Sequence, residues 1–561
     1  MLLALGAALC VAPMVVWGYH EGADLNVHLD SWMDASQQFR QAIFFPRWAA
    51  EANYGFGEPR FIFYPPLSWM LGGALGLVMR WTLVPVVYSW LTLVLAGVAM
   101  WSCAREWFSP RTATMAAVLY AFNPSTISTI YNRSDFAELL ASAFFPFLLK
   151  EAVRLTEGRR GALVPLAGAF AAIWLANFPA AVIATYALAL LLLMQSVSLR
   201  SWQVLLRGAG AMLLGFGLAA FIVFPAVWEQ KWIDIRSVIR PLLQPSNNFL
   251  FGPVVGDANM HRFNHKLSIL AVLLAVATVV AIFAARKWRE QAPRDWRLVS
   301  ALAVVSIFMM APLSLPLWRY LPKLQFVQFP WRWLLILSVA GALLGAAALA
   351  QMRRTWLAWL AIGIFLGALN GPVIRTTTWS FHPVNDVVQD MRSGKGYDGL
   401  VEYAPIGADI SRILPGAPDV TATDEAARSA GVKLRDVTLR VDAWSAQQKS
   451  IYVVTPEPLE LNLKLLAYPA WRVTVNQKAE AFEAAPGTDE IEVRVPPGTD
   501  RVQVVWAETW DRMAGDVISL ASIAVCLLVL FVEKRTFTSS ANSRPANSAA
   551  ENGALRAVHR A

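Results

Sequence analysis

The stretch "MLLALGAALCVAPMVVWGYHEGADLNVHLD", residues 1–30, runs an apolar segment straight into Asp24, Asn26, His28 and Asp30. If residues 1–17 cross a membrane, those polar groups stand at the bilayer surface, within reach of a lipid-borne compound. The alternative is a plain solvated loop.

Composition decides between soluble and membrane-embedded. Of 561 residues, 56% are hydrophobic and 16% charged, and mean hydropathy is +0.45. That is more apolar surface than one soluble core buries, so the chain reads as a multi-span membrane protein. The 24 Trp and 29 Phe suit aromatic belts at the two interfaces. The net charge of +9 then reports topology, and nucleic-acid binding is not inferred from it. Cys10, Cys103 and Cys526 lie in or beside apolar segments, so neither a disulfide framework nor a thiolate zinc site is expected. Residues 1–17 carry no basic flank and no small-x-small cleavage site. They read as a retained first helix, with a start further upstream left open.

A span needs about 20 apolar residues. Twelve candidates are 1–17, 82–102, 112–130, 139–153, 161–176, 180–196, 208–226, 267–285, 298–316, 333–350, 356–374 and 514–532. A thirteenth, "YPPLSWMLGGALGLVM" (64–79), is short and opens on two prolines, which disfavour helix before them. If it does not cross, the Arg- and Lys-rich loops "CAREWFSPRT", "KEAVRLTEGRRG", "SLRSWQVLLRG", "ARKWREQAPRDWR", "QMRRT" and "EKRT" share one side. The positive-inside rule makes that side cytoplasmic. Twelve spans follow, with both termini cytoplasmic, 18–81 a long external loop, and 64–79 re-entrant or surface-lying.

In that loop Asp24 is placed to cap a helix on which Leu25, Leu29, Trp32, Ser36, Phe39 and Ile43 recur at helical spacing. Asn26, Asp30, Asp34, Gln37 and Gln41 fall opposite, which predicts a helix lying flat on the membrane. Asp24 and His28 share a flank.

The segments "GADLNVH", "FPRWAAEANYGFGEPRFIFYPPLSWMLG", "NPSTISTIYNRSDFAELLA" and "LQFVQFPWRW" resemble bacterial polytopic membrane proteins labelled 6-pyruvoyl-tetrahydropterin synthase-related. These are similar in plan to integral membrane glycosyltransferases of the C fold (GT-C). The resemblance implies an α-helical membrane module over 1–374 that moves a sugar, with inversion, from a polyprenyl-phosphate donor to a glycan, lipid or protein acceptor on the outer side of the cytoplasmic membrane. It places the base or metal holder at Asp24, with His28 as the accompanying histidine. Position 25, where a second carboxylate would strengthen a cation site, is Leu25, so a divalent cation is left open as cofactor.

Other groups suit parts of such chemistry. "WRYLPKLQFVQFPWRW" carries Arg319, Lys323 and Arg332 in a short external loop, where basic residues are normally sparse. Phosphate binding or snorkelling to headgroups accounts for them. "YNRSDFAELL" places Asp135 and Glu138 at a span mouth, preceded by Arg133. The pattern reads as a capping box or as the second carboxylate with a cationic neighbour. Tyr64 in "YPPL" shapes the floor. "DANMHRFNH" puts Asp257, His261 and His265 on one helical stripe, a weak metal candidate. Lys231, Arg236 and Arg240 are candidates for headgroups.

Residues 375–513 change character. "VTLRVDAW", "SIYVVTP", "LELNLKLL", "WRVTVNQ", "IEVRVPPG" and "RVQVVWAE" alternate apolar and polar between turn residues, predicting an extracytoplasmic antiparallel sandwich. It is read as a sugar-binding domain or a structural cap. A last helix, 514–532, and a disordered cytoplasmic tail, 533–561, follow. A lipid-linked glycan transporter or flippase and an inert scaffold for envelope assembly remain as alternatives. A transporter would set charges deep within spans, whereas these cluster at span ends.

Overall fold

The computed structural model describes residues 1–422 and 437–542, apart from Glu21, Ala23 and Val255. It is mostly helical, with one β-rich region. Among the described residues six helices are long and apolar enough to cross a membrane: Trp81–Ala104, Phe178–Leu199, Ala258–Ala284, Pro330–Leu349, Thr355–Arg375 and Trp510–Arg535. Two bent pairs raise the number to eight, Trp202–Leu218 with Ala220–Trp232 (77°) and Pro293–Met310 with Pro312–Tyr320 (90°).

The other expected spans differ from straight helices. Residues 1–17 and 161–176 form the short apolar helices Leu2–Trp17 and Leu163–Ala176. Segment 112–130 breaks at Asn123, whose side chain caps the short helix Pro124–Ser128, and continues as a π-turn over Thr129–Arg133. Segment 139–153 divides into Phe136–Ser142 and Phe145–Thr156. Hydropathy counts apolar residues but does not register Asn-Pro or a left-handed residue such as Ser134, at φ 55°. Segment 64–79 is a helix over Pro66–Val78, 13 residues long, about 20 Å at 1.5 Å per residue and too short to cross alone.

The first-loop helix spans Leu25–Arg40, but it does not lie with one face in water. Asp30, Ser31, Asp34 and Gln38 are buried together with Leu29 and Trp32. On one side the helix meets Pro66–Val78, where a Cβ on Gly72 would stand 2.1 Å from the Trp32 ring. Glycine there lets the indole lie on the neighbouring backbone, and its other face stacks on Tyr88 (4.8 Å, 22°). On the other side protein replaces water. Asp34 accepts from Gln38 Nε2 (2.7 Å), Glu51 N (3.0 Å) and the Tyr397 hydroxyl (2.9 Å). Helical periodicity marks the polar stripe but not the later segment, Tyr397, that covers it.

Among the described residues the β-region holds nine antiparallel strands: β1 (Val420–Ala422), β2 (Thr438–Trp444), β3 (Gln448–Thr455), β4 (Leu459–Leu466), β5 (Trp471–Val475), β6 (Lys478–Glu480), β7 (Glu483–Ala484), β8 (Glu490–Val495) and β9 (Gly498–Trp506). They form a four-stranded sheet, β1-β4-β8-β7, and a five-stranded sheet, β2-β3-β9-β5-β6. Alternate residues of both, among them Leu461, Leu463, Val493, Ile451, Val473 and Val504, share one apolar core, as the period-2 pattern predicts.

This region is fastened to the membrane module. Trp48 of the first loop packs among Trp471, Trp506 and Tyr468 at 5.4–5.8 Å. Glu229 receives Arg512 Nε and Nη2 at 2.8 and 2.9 Å and the Tyr468 hydroxyl at 2.5 Å. The final helix runs from Trp510 to Asn542, past the expected end at 532. Residues 543–561, most of the expected tail, lie outside the described residues.

Candidate active site

The site gathers where the first loop meets the π-turn before Phe136. Asp24 N donates to Arg133 O at 3.0 Å, and a Cβ on Gly22 would stand 2.4 Å from Ser134 Oγ. The glycine of "GADLNVH" is therefore what admits the loop to this position. One turn on, His28 is buried, and its Nε2 accepts from Phe136 N at 3.1 Å. That fixes the proton on Nδ1, which faces the Tyr64 hydroxyl at 3.3 Å. Nε2 is also 3.7 Å from Asp135 Oδ1. His28 thus pins the helix to the start of the Phe136–Ser142 turn, with both ring nitrogens engaged.

Behind it sits a lattice of charge. Asp135 Oδ1 caps Glu138 N at 2.9 Å, half of the expected capping box. Its Oδ2 accepts from Arg133 Nη2 (2.6 Å) and Arg332 Nη2 (3.3 Å). Glu138 accepts from Arg133 Nη1 (2.5 Å) and Nη2 (3.0 Å). Arg332 Nε stands 2.8 Å from Glu138 Oε2, an ion pair set off the hydrogen-bonding line. The Arg133 guanidinium also lies 4.4 Å over the Trp331 ring, so the "FPWRW" motif supplies both a cation and a π face.

These contacts change the assignments. Despite burial, the Arg133 charge, with that of Arg332, holds the Asp135 carboxyl well below the usual carboxylate range. Both Asp135 and Glu138 are committed to arginines, which suits neither to taking a proton. Arg332 spends its remaining Nη1 on Val327 O (3.0 Å) and Gln328 Oε1 (3.4 Å), so neither arginine offers an open fork.

Asp24 is different. It occupies the N-cap position, yet its side chain makes no cap bond, and its carboxylate has no hydrogen-bond partner among the described residues. Burial and the charge of Asp135 push its carboxyl up, against Arg133, His28 and Arg332. A carboxylate with raised proton affinity and unspent lone pairs beside two fixed cations has the properties of a general base. Next to the lattice, a small, partly open pocket is lined by Arg133, Glu138, Trp331 and hydroxyls that include Ser125, Thr129 and Ser338.

Other sequence candidates lie elsewhere. Arg319 and Lys323 are exposed, and Lys323 Nζ reaches Gln230 Oε1 at 3.3 Å. The three residues of the metal candidate are not assembled. Asp257 Oδ1 caps Asn259 N and Met260 N (2.7 and 3.0 Å), His261 Nδ1 meets Pro253 O (3.1 Å), and His265 edges the Phe251 ring. A shared helical stripe is not a shared focus when the aspartate is already turned into its cap. Among the described residues no three His, Cys, Asp or Glu side chains form a metal-binding group. Among the described residues, Asp24 therefore has no such group around it to hold a divalent cation.

Sequence reasoning passed over a second buried network in the first loop. Arg60 donates to Glu58 Oε1 (2.6 Å) and to Ser31 Oγ (3.1 Å), and Glu58 Oε2 accepts from Leu400 N (3.0 Å). Two charges inside the aromatic run "FGEPRFIF" were its only signal.

No curated protein matches this chain by sequence. Three solved structures are similar in fold. The arabinofuranosyltransferase AftD from mycobacteria is 18% identical over 66% of this chain and 26% of its own, with a TM-score of 0.41. The Archaeoglobus fulgidus oligosaccharyltransferase is 14% identical over 70% and 55%, TM-score 0.39. ArnT from Cupriavidus metallidurans, bound to undecaprenyl phosphate, is 13% identical over 81% and 97%, TM-score 0.30. The chain spans about a quarter of the length of the first of these. The family model of the 6-pyruvoyl-tetrahydropterin synthase related domain, a membrane protein, matches residues 61–382, more than half of the chain, and this protein belongs to that family.

Proposed function

We propose that this protein is an integral membrane glycosyltransferase that moves a sugar from a polyprenyl-phosphate donor to an envelope acceptor outside the bacterial cytoplasmic membrane. In this reading the chain crosses twelve times, with short and bent helices completing the six long ones. Both termini are cytoplasmic, and residues 375–513 are external. The carrying observation is Asp24: beside Asp135 and Glu138, both held by arginines, it is the carboxylate without a hydrogen bond among the described residues.

The step is an in-line displacement. Asp24 takes the proton of the acceptor hydroxyl, and the oxygen bonds to the anomeric carbon of the donor. The carbon–oxygen bond to phosphate breaks on the opposite face, and its electron pair leaves with the polyprenyl phosphate. Arg133 and Arg332, their donors already committed, act on that departing charge through potential rather than through new hydrogen bonds. His28 and Tyr64 hold the loop so that Asp24 meets the acceptor.

Purified protein and Asp24→Ala, both checked for folding, are to be assayed with a panel of radiolabelled polyprenyl-phosphate sugars. Transfer by the wild type and its loss in the folded variant is the expected result. No transfer with any donor overturns the reading.

A further inference from the structure

Two loops on the side that carries the sandwich hold a charge pattern that the Asp24 site does not use. Residues 230–250 and 311–329 contain five cations, Lys231, Arg236, Arg240, Arg319 and Lys323, against one acid, Asp234. All five are exposed, and among the described residues none pairs with a carboxylate. External loops are normally poor in such residues, so their concentration here calls for an anionic partner.

Hydrogen bonds and packing knit the two loops into one surface. Lys323 Nζ donates to Gln230 Oε1 (3.3 Å) and Gln328 Nε2 to Val238 O (2.9 Å). Leu250 N donates to Met310 O (3.3 Å), and Phe249 meets the Trp318 ring edge-on at 6.2 Å. The segment leading to the sandwich holds the first loop as well, through Ile406 N to Trp232 O (3.0 Å) and Asp234 N to Ala404 O (3.3 Å). Cations from two distant parts of the chain therefore share one platform.

The two bent helices set its inclination. Pro312–Tyr320 turns by 90° from Pro293–Met310, and Ala220–Trp232 by 77° from Trp202–Leu218. Where the longer members cross the bilayer, the shorter ones lie close to its plane. Pro312–Tyr320 is two-sided. Ser314 and Trp318 are buried, the indole donating to Met309 O and Ser314 Oγ, both at 3.1 Å. Leu313, Leu317 and Tyr320 face outward, Leu313 at 80% and Tyr320 at 84% exposure. On the other bent helix Val227 and Trp228 are exposed, and Lys231 Nζ sits 3.8 Å from the centre of the Trp228 ring. Exposed apolar side chains bordered by cations are the pattern of an interfacial element, with the apolar groups at acyl-chain depth and the cations among headgroups.

We propose that this platform binds an anionic phospholipid surface, the headgroup phosphodiesters of the leaflet on the sandwich side. Charge complementarity selects that occupant. Unpaired guanidinium and ammonium groups match phosphate oxygens, and the exposed leucines and aromatic rings match acyl chains, which a soluble phosphate lacks. The inference rests on the span placement of the reading above and not on its transfer chemistry.

The test uses the full chain in phosphatidylcholine vesicles with a trace of phosphatidylglycerol carrying a photoactivatable headgroup, and cross-linked peptides are mapped by mass spectrometry. The expected result is labelling within 230–250 and 311–329, at least about fivefold above that from a matched phosphatidylcholine probe. Unlabelled phosphatidylglycerol is expected to compete it away, and inorganic phosphate is not. A variant combining Arg236→Gln, Arg240→Gln, Arg319→Gln and Lys323→Gln is expected to lose it about tenfold or more. Its thermal midpoint and the labelling of the opposite-side loop 285–297 are expected to stay, which shows it folded and inserted. Equal labelling by the two probes, or unchanged labelling in the folded variant, overturns the proposal. Competition by inorganic phosphate also overturns it and assigns the cations to a soluble anion. Platform labelling without transfer from any polyprenyl-phosphate donor removes the transferase and leaves the lipid surface, whereas transfer without platform labelling does the reverse.

Discussion

Two buried ion clusters use the same chemistry to different ends. At the junction with the sandwich, Glu229 is matched by Arg512 and Tyr468, with both carboxylate oxygens hydrogen-bonded and the ion-pair side chains fully buried. At the mouth of the bundle, Arg133 and Arg332 face Asp135 and Glu138, a third carboxylate, Asp24, is left over, and Arg133 and Glu138 line a pocket. A closed cluster is a staple between the Ala220–Glu229 helix, the sandwich and the last helix. A cluster with one unspent group and space beside it is equipped to meet a ligand.

The comparison breaks most sharply at Asp24. Replacing it by Ala or Asn is expected to lower transfer about 10²- to 10⁴-fold, the range of a lost general base, with little change in the thermal midpoint. Equal activity in the folded variant would place the base elsewhere. Arg512→Ala is the converse. It strands Glu229 in a fully buried site, which costs about 3–5 kcal/mol of stability, read as a lower unfolding midpoint. Unchanged stability would mean that the junction is no staple.

Two smaller effects sharpen the contrast. Gly22→Ala forces its new methyl against Ser134 and lifts the loop from Arg133. Overpacking of this kind costs about 1–3 kcal/mol and is expected to lower transfer while the sandwich still unfolds at its normal temperature. Intact transfer would show that the close approach is dispensable. The smallest effect concerns Asp30, which burial pushes up to about 7, with Arg60 opposing and Asp34, Asp398 and Asp390 reinforcing. Glu51 is likewise raised, to about 7, by burial and Asp34. In the folded protein these carboxyls keep protons that the unfolded chain has released above its ordinary carboxylate range. Stability from them is present at acidic pH and is lost as pH rises through about 7. Asp30→Asn is expected to flatten that decline and to add about 1 kcal/mol at pH 8 relative to pH 5. A wild-type midpoint that does not fall over that interval contradicts it.

Legibility followed the range of the interactions. The sandwich strands were readable because their alternation is local. The Asp24–His28 flank was readable because one helical turn separates the pair. The saturation of Asp135, Glu138 and Arg332 was not, since it depends on side chains nearly 200 positions apart meeting at 3.3 Å. The metal stripe failed for the opposite reason: a local pattern was present, but each side chain had a nearer partner.

By itself the sequence determined membrane character, the helical and sandwich divisions, and the candidate carboxylates, because hydropathy, periodicity and turn chemistry act between neighbours in the chain. Only the tertiary structure decided which carboxylate stays unspent, which arginines are committed, and that Tyr397 arrives from a distant segment to cover Asp34. Those outcomes turn on which distant groups satisfy one another first, and no local pattern encodes that competition.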